Sequence, residues 1–466
     1  MKMQLLEPLR IKFAQPSWAN APELALIDTI LEQHPEFIRM FEGDIRAGSK
    51  NNSFGRGDVP SVEQLVRAAM YKEIKKLDYR TLEYHQEDSR ICAMFVKLEQ
   101  GRSWSFQVYQ KYISKISKAR LEELLYAINR IAIETGIEDV SEVCMDSTVL
   151  ETSIHYPTNN ALVWDCIHES HRLLSQLQKE VESLTVRDYT KGAKAAYFLL
   201  DNTKKSRKKS GKKEQEALDK RTKLFVKQLV TFTKAINQVA RIVKKKAAHS
   251  ATQNAMAIVA QLEKLLPLME QVYAVTLRHE VEKEPVENAE KLFSIYEQHT
   301  DIIAKDGREV KLGHKVNFAS GKSNLVLAVD TLKGNPSDSS LYSGMLDKVI
   351  ATYNAVPRDS ATDGGYASSA NLRHAQGKGK GVINIVFNKM VDSLQRVASS
   401  KNMETQLKKW RGAIEAIISD IKRGFQLHRC TWKGEEHFHQ KVLWSTIAHN
   451  IRVMSALLQP ADDRAC

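Results

Sequence analysis

"VCMDSTVLETSIHYPTN" runs from Val143 to Asn159. It begins apolar, meets Asp146, passes through Ser147 and Thr148, and returns to Val149 and Leu150 before a polar, turn-like HYPTN. The first eight residues read as a strand bounded by a turn. A carboxylate inside such a strand needs a partner, because an unpaired buried charge is strongly destabilising. Three solutions exist: a salt bridge, a solvent-facing strand end, or a bound cation. The choice among them depends on which other residues the chain brings to the same place.

The composition narrows the setting. With 466 residues the chain has room for about three domains. Its hydrophobic content of 42% and charged content of 27% are those of an ordinary globular protein with a real core. The net charge of +13 favours a polyanionic partner, nucleic acid before a membrane surface. No apolar run reaches the roughly 18 residues of a membrane span, and the N-terminus lacks the pattern of a secretion signal. The five cysteines, Cys92, Cys144, Cys166, Cys430 and Cys466, are scattered and form no CxxC pair, which argues for reduced thiols and against zinc. A cytoplasmic, nucleoid-associated protein is the expectation.

Working outward, residues 1–138 read as a helical N-terminal region suited to DNA binding or dimerisation. In SVEQLVRAAMYKEIKKL, Ser61 is a candidate N-cap and Val62, Leu65, Val66, Ala69 and Met70 recur at helical spacing. KARLEELLYAINRIAIETG ends on Gly136, a helix stop. Residues 139–166 are the first part of an α/β domain, containing the Asp146 strand and ALVWDC (161–166). Residues 167–303 read as an all-helical insertion. There Leu218, Phe225, Leu229, Phe232, Ile236 and Val239 form a coiled-coil-like seam, and Pro267 interrupts or kinks a later helix. Within the insertion, TKKSRKKSGKK (203–213) is a block of like charge. It is either a solvated loop or a sequence-independent contact to DNA phosphates through Lys204, Lys205, Arg207, Lys208 and Lys209. Strand and helix patterns alternate again over 304–430, which gives the second part of the α/β domain. Residues 431–466 read as a C-terminal helical tail, in which Trp432, Asn450 and Arg452 are weaker candidates for contact with DNA or a partner.

Companions for Asp146 lie in this second part. On a helix, Arg411, Glu415 and Lys422 fall within about 40° of one another, beside the apolar stripe Ile414, Ile417, Ile418, Ile421 and Phe425. That geometry equally describes an ordinary surface pair between Arg411 and Glu415. Asp363 precedes Gly364 and Gly365, which free the backbone for a sharp turn. Asp330, at the end of LVLAVD, is a rival acid read as structural. His155 and His314 are read as hydrogen-bonded structural residues.

Taken together, Asp146-Ser-Thr, Asp363-Gly-Gly-Tyr366 and Arg411-x3-Glu415-x6-Lys422 resemble the pattern of DDE transposases of bacterial insertion sequences. DSTVLETSIHYPTNNALVWD is similar to the first strand of the ISNCY-type group. The last motif is similar to the family's Tyr-x2-Arg-x3-Glu-x6-Lys signature, with Lys408 at the tyrosine position. The resemblance covers about 140–166 and 305–455. It implies a ribonuclease-H-like catalytic domain, interrupted by the all-α insertion and preceded by the helical N-terminal domain. It further implies that Asp146, Asp363 and Glu415 bind Mg²⁺ or Mn²⁺, with Arg411 and Lys422 on DNA and Tyr366 either on DNA, against a nucleotide, or structural. The function implied is cleavage of the element's own ends and their joining to target DNA by a homo-oligomer. A nuclease of the same fold without transposition, or a decayed DNA-binding protein, is the alternative.

Overall fold

A computed structural model describes residues 21–47, 59–99, 102–206, 212–247, 252–304, 310–379, 381–388 and 397–459. The chain forms two compact units, Met1–Ser153 with Asp301–Cys466, and Ile154–Thr300.

The first unit is built on a seven-stranded mixed sheet. Its strands are β1 (Glu142–Thr152), β2 (Asp301–Ile303), β3 (Lys311–Ser320), β4 (Val326–Leu332), β5 (Asp359–Asp363), β6 (Asn384–Asn388) and β7 (Arg429–Cys430). β1 is central. It pairs antiparallel with β3 and parallel with β5, and β5 pairs parallel with β6. β3 carries β2 and β4 as antiparallel neighbours, and β7 adds a short parallel pairing to the end of β1. The two shortest strands, β2 and β7, left too little periodicity to be read from sequence.

Side chains alternate across a strand, so β1 has two distinct faces. Cys144 and Leu150 join a core with Val316, Phe318, the isoleucines of the Lys401–Ser419 helix and the N-terminal helices. Val143 and Met145 join another with Ala319, Tyr342, Met345 and Tyr366. Asp146 therefore shares the face of Cys144, while Ser147 points to the opposite one.

The N-terminal helices behave as expected locally. Ser61 and Gln64 form a full capping box at the start of Val62–Ile74, and Leu65, Val66, Ala69 and Met70 are buried. The Lys118–Glu134 helix ends just before Gly136, whose φ is +74°. These helices are not a separate body, however. Their apolar faces share one core with the sheet and with the Glu435–Leu458 helix. That last helix was expected as a tail; Phe438, Trp444 and Ile451 are buried along it instead. Asn450 is also buried, bonded to Asn129 and to the backbone of Val326.

The second unit is helical. Ala161–Cys166, expected at the end of the first α/β segment, lies inside the Asn159–Glu180 helix. Thr158 of the turn-like HYPTN caps this helix by accepting from the Ala161 N–H at 3.1 Å. The helices Thr190–Ser206, Lys212–Ala247 and Gln253–Thr276 complete the unit. The seam residues Leu218, Phe225, Leu229, Phe232 and Ile236 are buried in its core, with Val239 packed at the edge. Pro267 lies within the Gln253–Thr276 helix, which continues through it. Among the described residues, no helix is long and apolar enough to cross a membrane.

Candidate active site

The pairing of β1 with β5 places the first two acids. Met145 stands opposite Thr362, so the next position on each strand is Asp146 and Asp363. Adjacent strands lie about 5 Å apart, which sets the two carboxylates side by side. Both point to the same face, because Cys144 and Ala361, two residues earlier on each strand, are also paired. Ala361 packs there against Leu407 and Trp410 of the Lys401–Ser419 helix. Asp146 is half-buried and Asp363 exposed. The Ser147 backbone N–H donates to Asp146 Oδ1 at 2.7 Å.

The helix that covers this face brings the third acid. Cys144 Sγ lies 3.7 Å from the Arg411 carbonyl oxygen, and Lys422 Nζ donates to Thr148 Oγ1 at 2.6 Å. The helix therefore runs in the direction of β1, from the level of Cys144 to that of Thr148. Glu415 is one helical turn, about 6 Å, beyond Arg411. Asp146 is two strand residues, about 6.6 Å, beyond Cys144. Glu415 thus comes level with Asp146. The expected stripe holds too, with Ile414, Ile417, Ile418, Ile421 and Phe425 all buried.

Arg411 Nη2 donates to Glu415 Oε1 at 2.8 Å. Partial burial opposes the guanidinium charge, but the bond to Glu415 and the charges of Glu415, Asp363 and Asp146 outweigh it and raise its pKa. Cys144 senses the same group. Burial above all, then the charges of Asp146 and Glu415, push its thiol above the usual range, with Arg411 opposing. Arg411 and the three acids are therefore one electrostatic cluster.

Lys422 is presented by a π-helical turn, Asp420–Gly424, that follows the helix. Asp420 anchors the turn, accepting from Arg452 and bonding His449 Nδ1 at 2.7 Å. Arg452, a candidate for DNA contact on sequence grounds, is thus engaged with the turn and with the Phe425 ring, 4.5 Å away. Lys408, at the family's tyrosine position, pairs with Glu404 at 2.6 Å.

On the opposite face, Ser147 Oγ donates to Asp338 Oδ1 at 2.7 Å, and Lys315 Nζ pairs with the same oxygen at 2.6 Å. A Cβ on Gly365 would come within 2.9 Å of Asp338 Oδ2. The constraint at this position is the close approach of the Asp338 side chain, not a left-handed backbone. Tyr366, expected on DNA, is fully buried, and its hydroxyl donates to Asn317 Oδ1 at 2.7 Å. It supports the sheet from behind. The Lys315–Asp338 brace was not read from sequence; its only signal was an acid just after the NPS turn.

Other residues fall outside this cluster. Asp330 pairs with Lys348 at 2.6 Å, and His314 is buried against Phe438 and bonded to Asp301. His155 faces Asp165 at 3.4 Å in the helical unit. Lys204 and Lys205 belong to the Thr190–Ser206 helix, while Arg207, Lys208 and Lys209 lie outside the described residues.

Residues 294–451 match the family of the transposase DDE domain. The matched stretch, about a third of the chain, includes Asp363 and Glu415 but not Asp146. That family implies a ribonuclease-H-like fold, and the mixed sheet with helices on both faces is consistent with it. No curated protein and no solved structure matches the chain significantly.

The donor set is all carboxylate oxygen, the chemistry preferred by Mg²⁺ or Mn²⁺. Among the described residues, no group of three or more His, Cys, Asp or Glu is placed to hold a metal ion. Asp146 and Asp363 are adjacent, but Glu415 is engaged with Arg411. The residues suit a divalent ion in kind, and Arg411 engages one oxygen of Glu415, Oε1.

Proposed function

We propose that this chain is a DNA transposase that cleaves the ends of its own insertion sequence and joins them to target DNA. The observation that carries the reading is the β1–β5 register, which sets Asp146 beside Asp363 under the Arg411–Glu415 turn of the covering helix. Asp146, Asp363 and Glu415 would hold Mg²⁺ or Mn²⁺. Bound there, the ions would supply activation of a water or 3′-hydroxyl and stabilisation of the leaving oxygen in an in-line displacement.

The remaining roles belong to the chain itself. Arg411 and Lys422 bracket the acids along the covering helix and its π turn, where each can hold a DNA phosphate by charge-assisted bonds. Arg411 uses Nη2 on Glu415, and its guanidinium has further N–H donors for a phosphate. Ser147, tied to Asp338, fixes the strand that carries Asp146. The basic segment 203–213 would add sequence-independent contact to the backbone. Action on paired ends would require a homo-oligomer.

The test uses DNA from the gene's own flanks, containing the element ends, with purified full-length protein. Wild type with Mg²⁺ or Mn²⁺ is expected to give breaks at both ends and joined products, abolished by EDTA and by Glu415→Gln. Cleavage without joining would reduce the reading to a nuclease. Binding with no metal-dependent cleavage, alike in both proteins, would sink it and leave a DNA-binding protein.

A further inference from the structure

A cavity of about 600 Å³ opens in the first unit, away from the three acids. Its walls include Lys72, Tyr79, Trp432, Lys433, His437 and Lys441. The Tyr79 and Trp432 rings lie 6.3 Å apart and tilt by 30°, forming an aromatic wall. Lys72 Nζ sits 4.9 Å from the Trp432 centroid and 5.1 Å from that of Tyr79. Lys441 Nζ lies 5.8 Å from the Trp432 centroid.

Glu73 is buried and pairs with both Lys72 and Lys441, and burial above all lowers the pKa of Lys72, so the charge of Lys441 is the one set against this carboxylate. Lys433 adds an exposed cation at the rim. Asp78, the acid on the lining, accepts from the Thr81 N–H at 2.7 Å as a helix cap. Lys433 is thus the exposed cation of the lining, beside Lys441 held by Glu73, and both carboxylates are already bonded. The exposed amides of Gln110 and Gln426 supply donors and acceptors at the mouth.

A cationic cavity with an aromatic wall and amide groups at its edge selects a planar, anionic ligand. A plain anion would not use the rings, and a cationic ligand would be repelled by the lysines. The volume falls within the range of small-molecule sites. We infer that this cavity binds one unpaired nucleotide, its base against Trp432 and Tyr79 and its phosphate on Lys433 and Lys441. The nucleotide could be free or part of DNA, and the DNA source alone rests on the transposase reading.

The location suits DNA. Trp432 lies two residues beyond Cys430, the end of β7, whose Arg429 and Cys430 pair with Glu151 and Thr152 on β1. Thr152 is six residues from Asp146, or about 20 Å along the strand. That corresponds to about six base-pair steps of duplex.

The test is metal-free binding to full-length protein. The first probe is 2-aminopurine deoxyribonucleoside monophosphate; the second is a duplex carrying 2-aminopurine in an unpaired overhang. Both are compared with the same base inside a fully paired duplex. A saturable fluorescence change is expected, weakened about tenfold by Trp432→Leu. Lys433→Glu, at the exposed rim, is expected to weaken it several-fold without loss of fold by circular dichroism. A response to the monophosphate alone supports the pocket with a free nucleotide as its source. A stronger response to the overhang than to paired DNA supports DNA as the source. No response to either unpaired probe, or a response unchanged in both variants, overturns the inference. The binding readout is metal-free and needs no cleavage, so a failed cleavage assay leaves this result separate.

Discussion

The first unit treats two sets of carboxylates in opposite ways. Glu73 is buried, with two lysines on it and an aromatic wall beyond them. Burial raises the cost of its charge, but Lys441 and Lys72 overcompensate and depress its pKa to about 2. Asp363 and Glu415, by contrast, stand exposed at the end of β5 and on the covering helix, next to the half-buried Asp146. A carboxylate whose neutralisation is complete within the chain is a structural one. Asp146 within β1 and Asp363 at the end of β5 stand side by side on neighbouring strands, an arrangement of carboxylates that suits a cation from outside.

The largest expected effect breaks the comparison on the catalytic side. Glu415→Gln should lower end cleavage by more than about 100-fold, since even outer contacts of metal sites cost 10–100-fold. Its thermal stability should change by no more than about 0.5 kcal/mol, because Glu415 is 59% exposed. A parallel loss of stability in a thermal melt would place Glu415 with the structural acids.

Glu73→Gln should do the reverse. Removing the carboxylate shared by Lys72 and Lys441 leaves the largely buried Lys441 without this partner, at a cost of about 3–5 kcal/mol in denaturant unfolding. The same ionisation predicts an acid limit. The folded pKa of Glu73 lies below its ordinary 4.5, so its contribution is complete above about pH 4.5 and is lost as pH falls toward about 2. In Glu73→Gln that segment of the pH–stability profile should flatten.

The helical unit offers the opposite sign. Burial pushes Asp165 up to about 6, against the charges of His155 and His168. Its contribution is complete below its ordinary 3.8 and is lost as pH rises through about 6. Asp165→Asn should therefore stabilise the chain at pH 7 by on the order of 1–3 kcal/mol, and by little at pH 4. Equal effects at both values would remove this assignment.

The smallest expected effect on stability is at Arg411. Arg411→Ala loses an i, i+4 pair with an exposed glutamate, worth about 0.3–0.5 kcal/mol. Cleavage should nevertheless fall well below wild type if Arg411 holds phosphate. Unchanged cleavage would mark the pair as a surface contact only.

Much of the architecture was legible from short patterns. The β1 run, the Ser61 cap, the Gly136 stop and the isoleucine stripe of the covering helix each follow from local chemistry at fixed spacing. The boundary near residue 154 was missed because ALVWDC is apolar enough for either a strand or a buried helix, and the Thr158 cap lay within a stretch that looked like a turn. Tyr366 was misplaced for a related reason. An aromatic after a Gly-Gly turn carries no mark of which side of the sheet it will face, and here it packs behind, on Asn317.

By itself, the sequence supplied candidate acids and basic neighbours through three short motifs, while helical spacing alone equally described a surface pair between Arg411 and Glu415. Only the tertiary structure decided that Asp146 and Asp363 share a face and a level, since that depends on the register of two strands more than 200 residues apart. The cavity at Trp432 was likewise decided by packing. Its aromatic wall and its lysines come from segments around residues 72–79 and 432–441, which meet only when the N-terminal helices and the C-terminal helix close on one core.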